Sequence, residues 1–96
     1  MEYKIIISTA AENDTKESYI FYEKEQPGLG KRFLNELAEN YNKLKLHPTH
    51  YSFVSAEKIT CALSLKKFHF TIIFQIDRVE VYVFAIYHFR KRPSNF

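Results

Sequence analysis

A chain of 96 residues, of which 46% are hydrophobic and 17% aromatic, is long enough for one domain and too apolar to be disordered. Its single cysteine, Cys61, excludes an internal disulfide and favours a reducing compartment. The N-terminal apolar stretch is too short for a signal peptide, and no run reaches the ~18 apolar residues that cross a membrane. We therefore expect one cytoplasmic domain that covers residues 1–96.

The net charge of +3 is unevenly distributed along the chain. Acidic and basic residues nearly cancel up to residue 46, whereas after it only Glu57, Asp77 and Glu80 oppose a larger set of lysines and arginines. A basic half of this kind is either a solvated face or a surface for a polyanion or an acidic partner. The charge pattern by itself leaves both interpretations open.

The first predicted elements are a strand and a helix. Residues 3–8, YKIIIS, form a short β-branched run that is typical of a strand. Residues 10–25 contain no glycine or proline and place their apolar side chains at helical spacing. Ser8 or Thr9 offers the N-cap of this helix, and Glu12 lies close to the spacing of a capping box.

A sharp break separates this helix from a second one. Residues 26–30, QPGLG, contain both glycines of the chain and one of its prolines. Residues 29–46 then carry an apolar stripe at helical spacing, and His47-Pro48 ends the helix. Two amphipathic helices joined by so short a break predict an antiparallel helical hairpin.

The remainder of the chain predicts strands. Residues 59–65, 68–76 and 79–87 each alternate with a period of two. Asp77-Arg78 joins the last two runs as a hairpin, although it lacks the favoured glycine. The predicted fold is α+β, with an N-terminal strand, a helical hairpin and a three-stranded antiparallel sheet in the order β-α-α-β-β-β. The hairpin is expected to cover one face of the sheet.

Four segments, in order, match a known set of motifs. Residues 22–37 (YEKEQPGLGKRFLNEL) join an aromatic-acidic helix end to a Pro-Gly-Leu-Gly turn and a basic-Phe-x-x-x-Leu helix start. Residues 44–51 (LKLHPTHY) follow the pattern Leu-x-x-x-Pro-x-x-Tyr. Residues 66–74 (KKFHFTIIF) resemble a basic-Phe-Pro-Tyr-x-Ile-x-Tyr strand, and residues 85–96 (AIYHFRKRPSNF) resemble an ending of Ala-x-x-His, basic residue, proline and aromatic. The set resembles the RelE/ParE family of toxins from type II toxin–antitoxin systems, which includes plasmid-stabilisation proteins.

The chain departs from the family pattern in three places. Cys61 and Ala62 stand where the strand before the Phe-Pro-Tyr motif usually carries one or two arginines. His69 replaces the proline of that motif, and Lys91 takes the place of the usual arginine after the terminal histidine. The missing strand arginines favour a member that binds its target without catalysis, or an inactive member.

The resemblance implies a toxin that inhibits growth and is neutralised by a cognate antitoxin, in a toxin–antitoxin hetero-oligomer. RelE-type members are ribosome-dependent endoribonucleases that act on mRNA without a metal or cofactor. Their reaction needs a proton acceptor, cations around the phosphorane and a proton donor. ParE-type members poison DNA gyrase and need only a binding surface. A basic binding domain without toxicity is the third hypothesis, and none of the three involves a membrane.

The candidate site residues follow from the same resemblance. The catalytic candidates of the RNase hypothesis are Lys67, His88 and Arg90. The residues expected to contact RNA or a protein target are Lys66, His69, Lys91, Arg92 and Phe96. Structural alternatives remain open, since Lys66 and Lys67 also suit an edge strand and His88 a structural histidine. Cys61 is expected to be a small buried hydrophobe.

Overall fold

The computed structural model of the chain describes residues 2–50, 60–65, 68 and 70–88. Its elements are strand β1 (Lys4–Ile7), helices α1 (Thr9–Glu25) and α2 (Leu29–Leu46), a 3-10 turn (Pro48–His50), and strands β2 (Thr60–Ser64), β3 (Phe70–Asp77) and β4 (Glu80–His88). The predicted α+β fold and its element order are therefore confirmed. The bounds of α2 are the expected ones, and α1 begins one residue earlier than predicted.

All four strands belong to one sheet, in the order β1-β4-β3-β2. β2 pairs with β3, and β3 with β4, in the predicted antiparallel sense. β1 adds a fourth strand, parallel to β4, with Ile5 opposite Val81 and Ile7 opposite Val83. The sheet is thus larger than the three strands expected. The helical hairpin makes this possible, because it supplies the long crossover that parallel strands require.

The core fills the space between the two helices and one face of the sheet. Phe33 of α2 is fully buried and stacks on Phe70 of β3, with 4.4 Å between ring centroids. Tyr22 of α1 meets Phe68 edge-on at 4.9 Å. These rings join both helices to the sheet side of the core.

Ser8 starts α1 and ties it to the sheet. Its Oγ accepts a hydrogen bond from the Ala11 backbone N–H at 3.0 Å and donates one to the Phe84 carbonyl oxygen at 2.9 Å. Ser8, rather than Thr9, is therefore the N-cap. The reciprocal half of a capping box is missing, because the third helical position holds Ala11 and Glu12 comes one residue too late.

Helix α1 also protects the edge of β4 beyond the end of β1. Asp14 accepts the Ile86 backbone N–H at its Oδ2, over 3.1 Å. We expect Asp14→Ala to lower the free energy of unfolding by about 1.5 kcal/mol, because the Ile86 N–H loses a charged acceptor. Asp14→Asn retains an acceptor oxygen and should lose less. Urea denaturation measures both variants, and equal losses would show that the hydrogen bond contributes nothing.

The turn between β3 and β4 lies one residue later than predicted. Asp77 pairs with Glu80 as the last rung of the ladder, which leaves Arg78 and Val79 as the turn. Arg78 has a φ of 59° and is the only non-glycine residue with positive φ in the described part of the chain. Positive φ at the first central position fits a type II′ turn, which favours glycine there.

This backbone conformation predicts a stabilising substitution. We expect Arg78→Gly to raise the free energy of unfolding by about 0.5–1 kcal/mol, because glycine adopts positive φ without steric cost. Arg78→Ala removes the same charge but keeps a Cβ, and it should gain nothing. Thermal denaturation of the two variants and the parent chain tests this. An equal gain in both would assign the effect to charge.

Candidate functional site

The helical hairpin is held by a carboxylate of α1 that caps the N-terminus of α2. Gly28, the N-cap position, has a φ of 88° and no side chain to cap the helix. The Glu23 carboxylate supplies the missing cap. Its Oε2 accepts the Gly28 N–H at 2.9 Å, and its Oε1 accepts the Gly30 N–H at 3.0 Å. The first turn of α2 contains no acidic residue, so Glu23 also supplies the anion that a helix N-terminus favours.

The two glycines of this motif serve different purposes. A Cβ at Gly28 would meet nothing within 4 Å, so its positive φ is what requires glycine. A Cβ at Gly30 would lie 2.8 Å from Cδ1 of Tyr19 and 2.9 Å from Oε1 of Glu23. Gly30 therefore allows α1 and α2 to approach closely. The Pro-Gly-Leu-Gly motif shapes the hairpin on which the other surfaces are built.

The sheet face turned away from the helices, here called the open face, carries the residues that alternate with the core positions. Ile73, Gln75 and Tyr82 lie there and are half-buried, and Tyr87 is 38% exposed. Gln75 donates from Nε2 to the Thr60 hydroxyl at 3.2 Å. The described residues at the centre of this face are uncharged and supply no cation for a phosphate group.

The two strand positions that depart from the family pattern lie on opposite faces. Cys61 is 1% exposed, sits in the core opposite Phe74, and burial raises the pKa of its thiol. The expectation of a buried small hydrophobe is thus confirmed. Ala62 pairs with Ile73 on the open face. Of the two positions only 62 presents its side chain to the open face, and an alanine offers no cation there.

One polar pair on the open face was not singled out from the sequence. The Tyr82 hydroxyl donates a hydrogen bond to Oε1 of Glu80. This bond, followed by burial and the charges of Glu80 and Asp77, raises the pKa of Tyr82 above its usual value. Tyr82 is therefore a protonated donor at neutral pH. The i, i+2 spacing on a predicted strand is the sequence signal that places both side chains on one face.

The predicted site residues fall almost entirely outside the described part of the chain. This holds for Lys66, Lys67, His69, Arg90, Lys91, Arg92 and Phe96. His88 is described through its backbone, which ends β4 opposite Phe70, the first residue of β3. The chain before Phe70 and the chain after His88 therefore join the sheet at neighbouring positions.

The described residues include neither a metal-binding cluster nor a membrane-spanning helix. No three His, Cys, Asp or Glu side chains among them gather in a way that would hold a metal ion. None of the described helices is long and apolar enough to cross a membrane.

Comparison with known proteins identifies the family. The sequence model for the ParE toxin of the type II toxin–antitoxin system parDE matches residues 5–93. The chain belongs to the ParE toxin family. This match includes the hairpin motif, the exit from α2 and the terminal histidine motif up to residue 93. No curated protein sequence matches this ParE-family chain significantly.

Solved structures show that the ParE-family chain shares its fold with chains of two toxin–antitoxin systems. A chain of the chromosomal ParDE toxin–antitoxin system from P. aeruginosa superposes with a TM-score of 0.79 at 16% identity, covering 91% of this chain and 96% of that one. A chain of the RelBE2 toxin–antitoxin complex from Mycobacterium tuberculosis gives a TM-score of 0.66 at 17% identity, covering 92% and 99%. These likenesses confirm the RelE/ParE-like fold.

Proposed function

We propose that this chain is the growth-inhibiting toxin of a type II toxin–antitoxin pair and that it acts by binding DNA gyrase, without catalysis. The observation that carries this proposal is the match to the ParE toxin family over residues 5–93. The antitoxin partner follows from the same family, and the two structural neighbours come from toxin–antitoxin systems as well.

The side chains at positions 61 and 62 of β2 favour a binding mechanism over RNA cleavage. A phosphorane transition state needs cations aimed at its developing charge. Cys61 is enclosed in the core, and Ala62 on the open face is apolar. Neither position supplies the cation that an RNase of this family carries on the same strand.

We assign the gyrase contact to the C-terminal segment, with Arg90, Lys91, Arg92 and Phe96 as its anchors. Arginine and aromatic side chains contribute most of the binding energy in protein interfaces. Lys66, Lys67, His69 and His88 are proposed to extend this contact, because the chain enters β3 and leaves β4 at paired positions. In the RNase alternative, Lys67, His88 and Arg90 would carry the catalysis instead.

A supercoiling assay with purified DNA gyrase tests the proposal. The chain should inhibit supercoiling and trap gyrase–DNA cleavage complexes. A triple alanine variant of Arg90, Lys91 and Arg92 should need on the order of a hundredfold more protein for the same inhibition. The matched control is a triple alanine variant of Lys16, Lys31 and Lys43, three exposed lysines of the helices. It loses the same charge and should inhibit like the parent chain.

The competing mechanisms give different results in the same cells. Codon-linked cuts in mRNA after induction, with gyrase unaffected, would contradict the gyrase mechanism and support the RNase alternative. In that case Lys67→Ala and His88→Ala should each lose most of the cleavage. Unimpaired growth together with unaffected gyrase and mRNA would identify an inactive member of the family.

A further inference from the structure

Strand β4 contains one more residue than β3 along the length over which the two strands pair. Ile73 pairs with Ala85 and Phe74 pairs with Val83, so Phe84 is the extra residue of a β-bulge. Bulges change the direction in which the side chains of a strand point, and they are common beside functional sites. The surface around Phe84 is therefore a candidate for a further contact.

The bulge determines which side chains of β4 reach the open face. Val83 belongs to the core, so strict alternation would also bury positions 85 and 87. The structure shows the opposite, because Ile86 is 3% exposed and Tyr87 is 38% exposed. Phe84, which follows Val83 and lies on the opposite face, is 44% exposed. The bulge thus places two large aromatic side chains, three residues apart, on the open face.

Two side chains from outside the strand fix the backbone of the bulge. The Ser8 hydroxyl donates a hydrogen bond to the Phe84 carbonyl oxygen at 2.9 Å. Asp14 accepts the Ile86 N–H at 3.1 Å, on the other side of the bulge. The backbone that carries the exposed aromatic residues is therefore held before any partner binds, which lowers the entropic cost of binding.

The surroundings of the two aromatic rings are apolar. Ile6 of β1 lies opposite Tyr82, and both side chains are half-buried. Ile73, which is also half-buried, lies on the open face beside the bulge. We call the surface formed by Ile6, Ile73, Phe84 and Tyr87 the aromatic patch. Exposed apolar surface of this kind is typical of a protein-binding site.

The aromatic patch is continuous with the segment to which we assign the gyrase contact. Strand β4 ends at His88, directly after Tyr87. Arg90 follows three residues after Tyr87, so their Cα atoms are at most about 11 Å apart even in a fully extended chain. A partner that binds Arg90 therefore lies within reach of the aromatic patch.

We infer that the aromatic patch is part of the gyrase-binding surface and that Phe84 and Tyr87 insert into an apolar pocket of gyrase. Acidic groups beside that pocket would face the basic residues 90–92 of this chain. An uncharged aromatic centre with charged residues at its border is the usual composition of a protein interface. The inference rests on the proposed function and extends its contact from the C-terminal segment to the sheet.

Photo-cross-linking identifies what binds to the aromatic patch. The full chain carries p-benzoylphenylalanine at position 84, or at position 20 as a control, since Ile20 of α1 is 53% exposed. Each protein is irradiated with purified gyrase and DNA, with the cognate antitoxin, and alone. Position 84 should cross-link to a gyrase subunit, whereas position 20 should not.

Alanine variants measure the contribution of the patch to inhibition. Phe84→Ala and Tyr87→Ala should each raise the protein concentration needed to inhibit supercoiling by about tenfold. Ile20→Ala also removes an exposed apolar side chain and should inhibit like the parent chain. Phe84→Ala keeps the carbonyl that accepts the Ser8 hydrogen bond, so circular dichroism should show a folded protein.

The outcomes separate this inference from the proposed function. If the parent chain inhibits gyrase, then equal inhibition by both alanine variants and no gyrase cross-link from position 84 would overturn the patch and leave the gyrase mechanism intact. A cross-link from position 84 only to the antitoxin, or only to a second copy of the chain, would overturn it as well. A parent chain without any effect on gyrase would overturn both proposals together.

Discussion

Replacing Phe33 by alanine lowers the free energy of unfolding by about 3–5 kcal/mol, the largest loss we expect from a single substitution in this chain. The side chain is 0% exposed, stacks on Phe70 at 4.4 Å and meets Tyr22 at 5.6 Å. Its removal leaves a cavity where α1, α2 and β3 meet. For a domain whose total stability is about 5–15 kcal/mol, this loss is a large share.

Leu34→Ala is the control for Phe33→Ala. Leu34 is the next residue of the same helix and is 37% exposed, so its truncation should cost about 1 kcal/mol or less. Urea denaturation followed by circular dichroism gives both values. Similar losses in the two variants would contradict the placement of the core on the Phe33 side of α2.

Replacing Glu23 by alanine should lower the free energy of unfolding by about 2–3 kcal/mol, because two backbone N–H groups lose a charged acceptor. The Gly28 and Gly30 amides would then lie at the N-terminus of α2 without a cap. The hairpin connection itself should loosen. Faster amide exchange at Gly28 and Gly30, measured by NMR, should therefore accompany the loss of stability.

Two variants define the effect of Glu23→Ala. Glu23→Gln retains one acceptor oxygen and should fall between the parent chain and the alanine variant. Glu25→Ala removes an exposed carboxylate two residues away and should change stability by less than about 0.5 kcal/mol. If Glu23→Ala and Glu25→Ala had the same effect, the cap would have no energetic role.

Local sequence patterns predicted most of the fold. The proline and two glycines of the break between the helices placed the start of α2 at Leu29, and His47-Pro48 placed its end at Leu46. The parallel pairing of β1 was not predicted, because alternation within a strand carries no information about its neighbour. The β3–β4 turn was displaced by one residue, since Arg78 adopts positive φ without the glycine that would have signalled it.

The interactions that position the candidate surfaces were less accessible from the sequence. Asp14 bonds to Ile86, which lies 72 residues further along the chain, and no local pattern predicts such a pair. Glu23 lies in the hairpin motif of the sequence, but only the structure shows that its carboxylate caps α2. The predicted site residues from 66 to 69 and from 88 onward stay predictions.

We propose that this member of the ParE toxin family arrests growth and that an antitoxin prevents the arrest. The most direct test is to induce the chain in growing bacteria, alone and together with its cognate antitoxin, and to count viable cells. We predict loss of colony formation with the chain alone and normal growth with both proteins. Undiminished growth with the chain alone, once it is shown to accumulate in folded form, would contradict the claim.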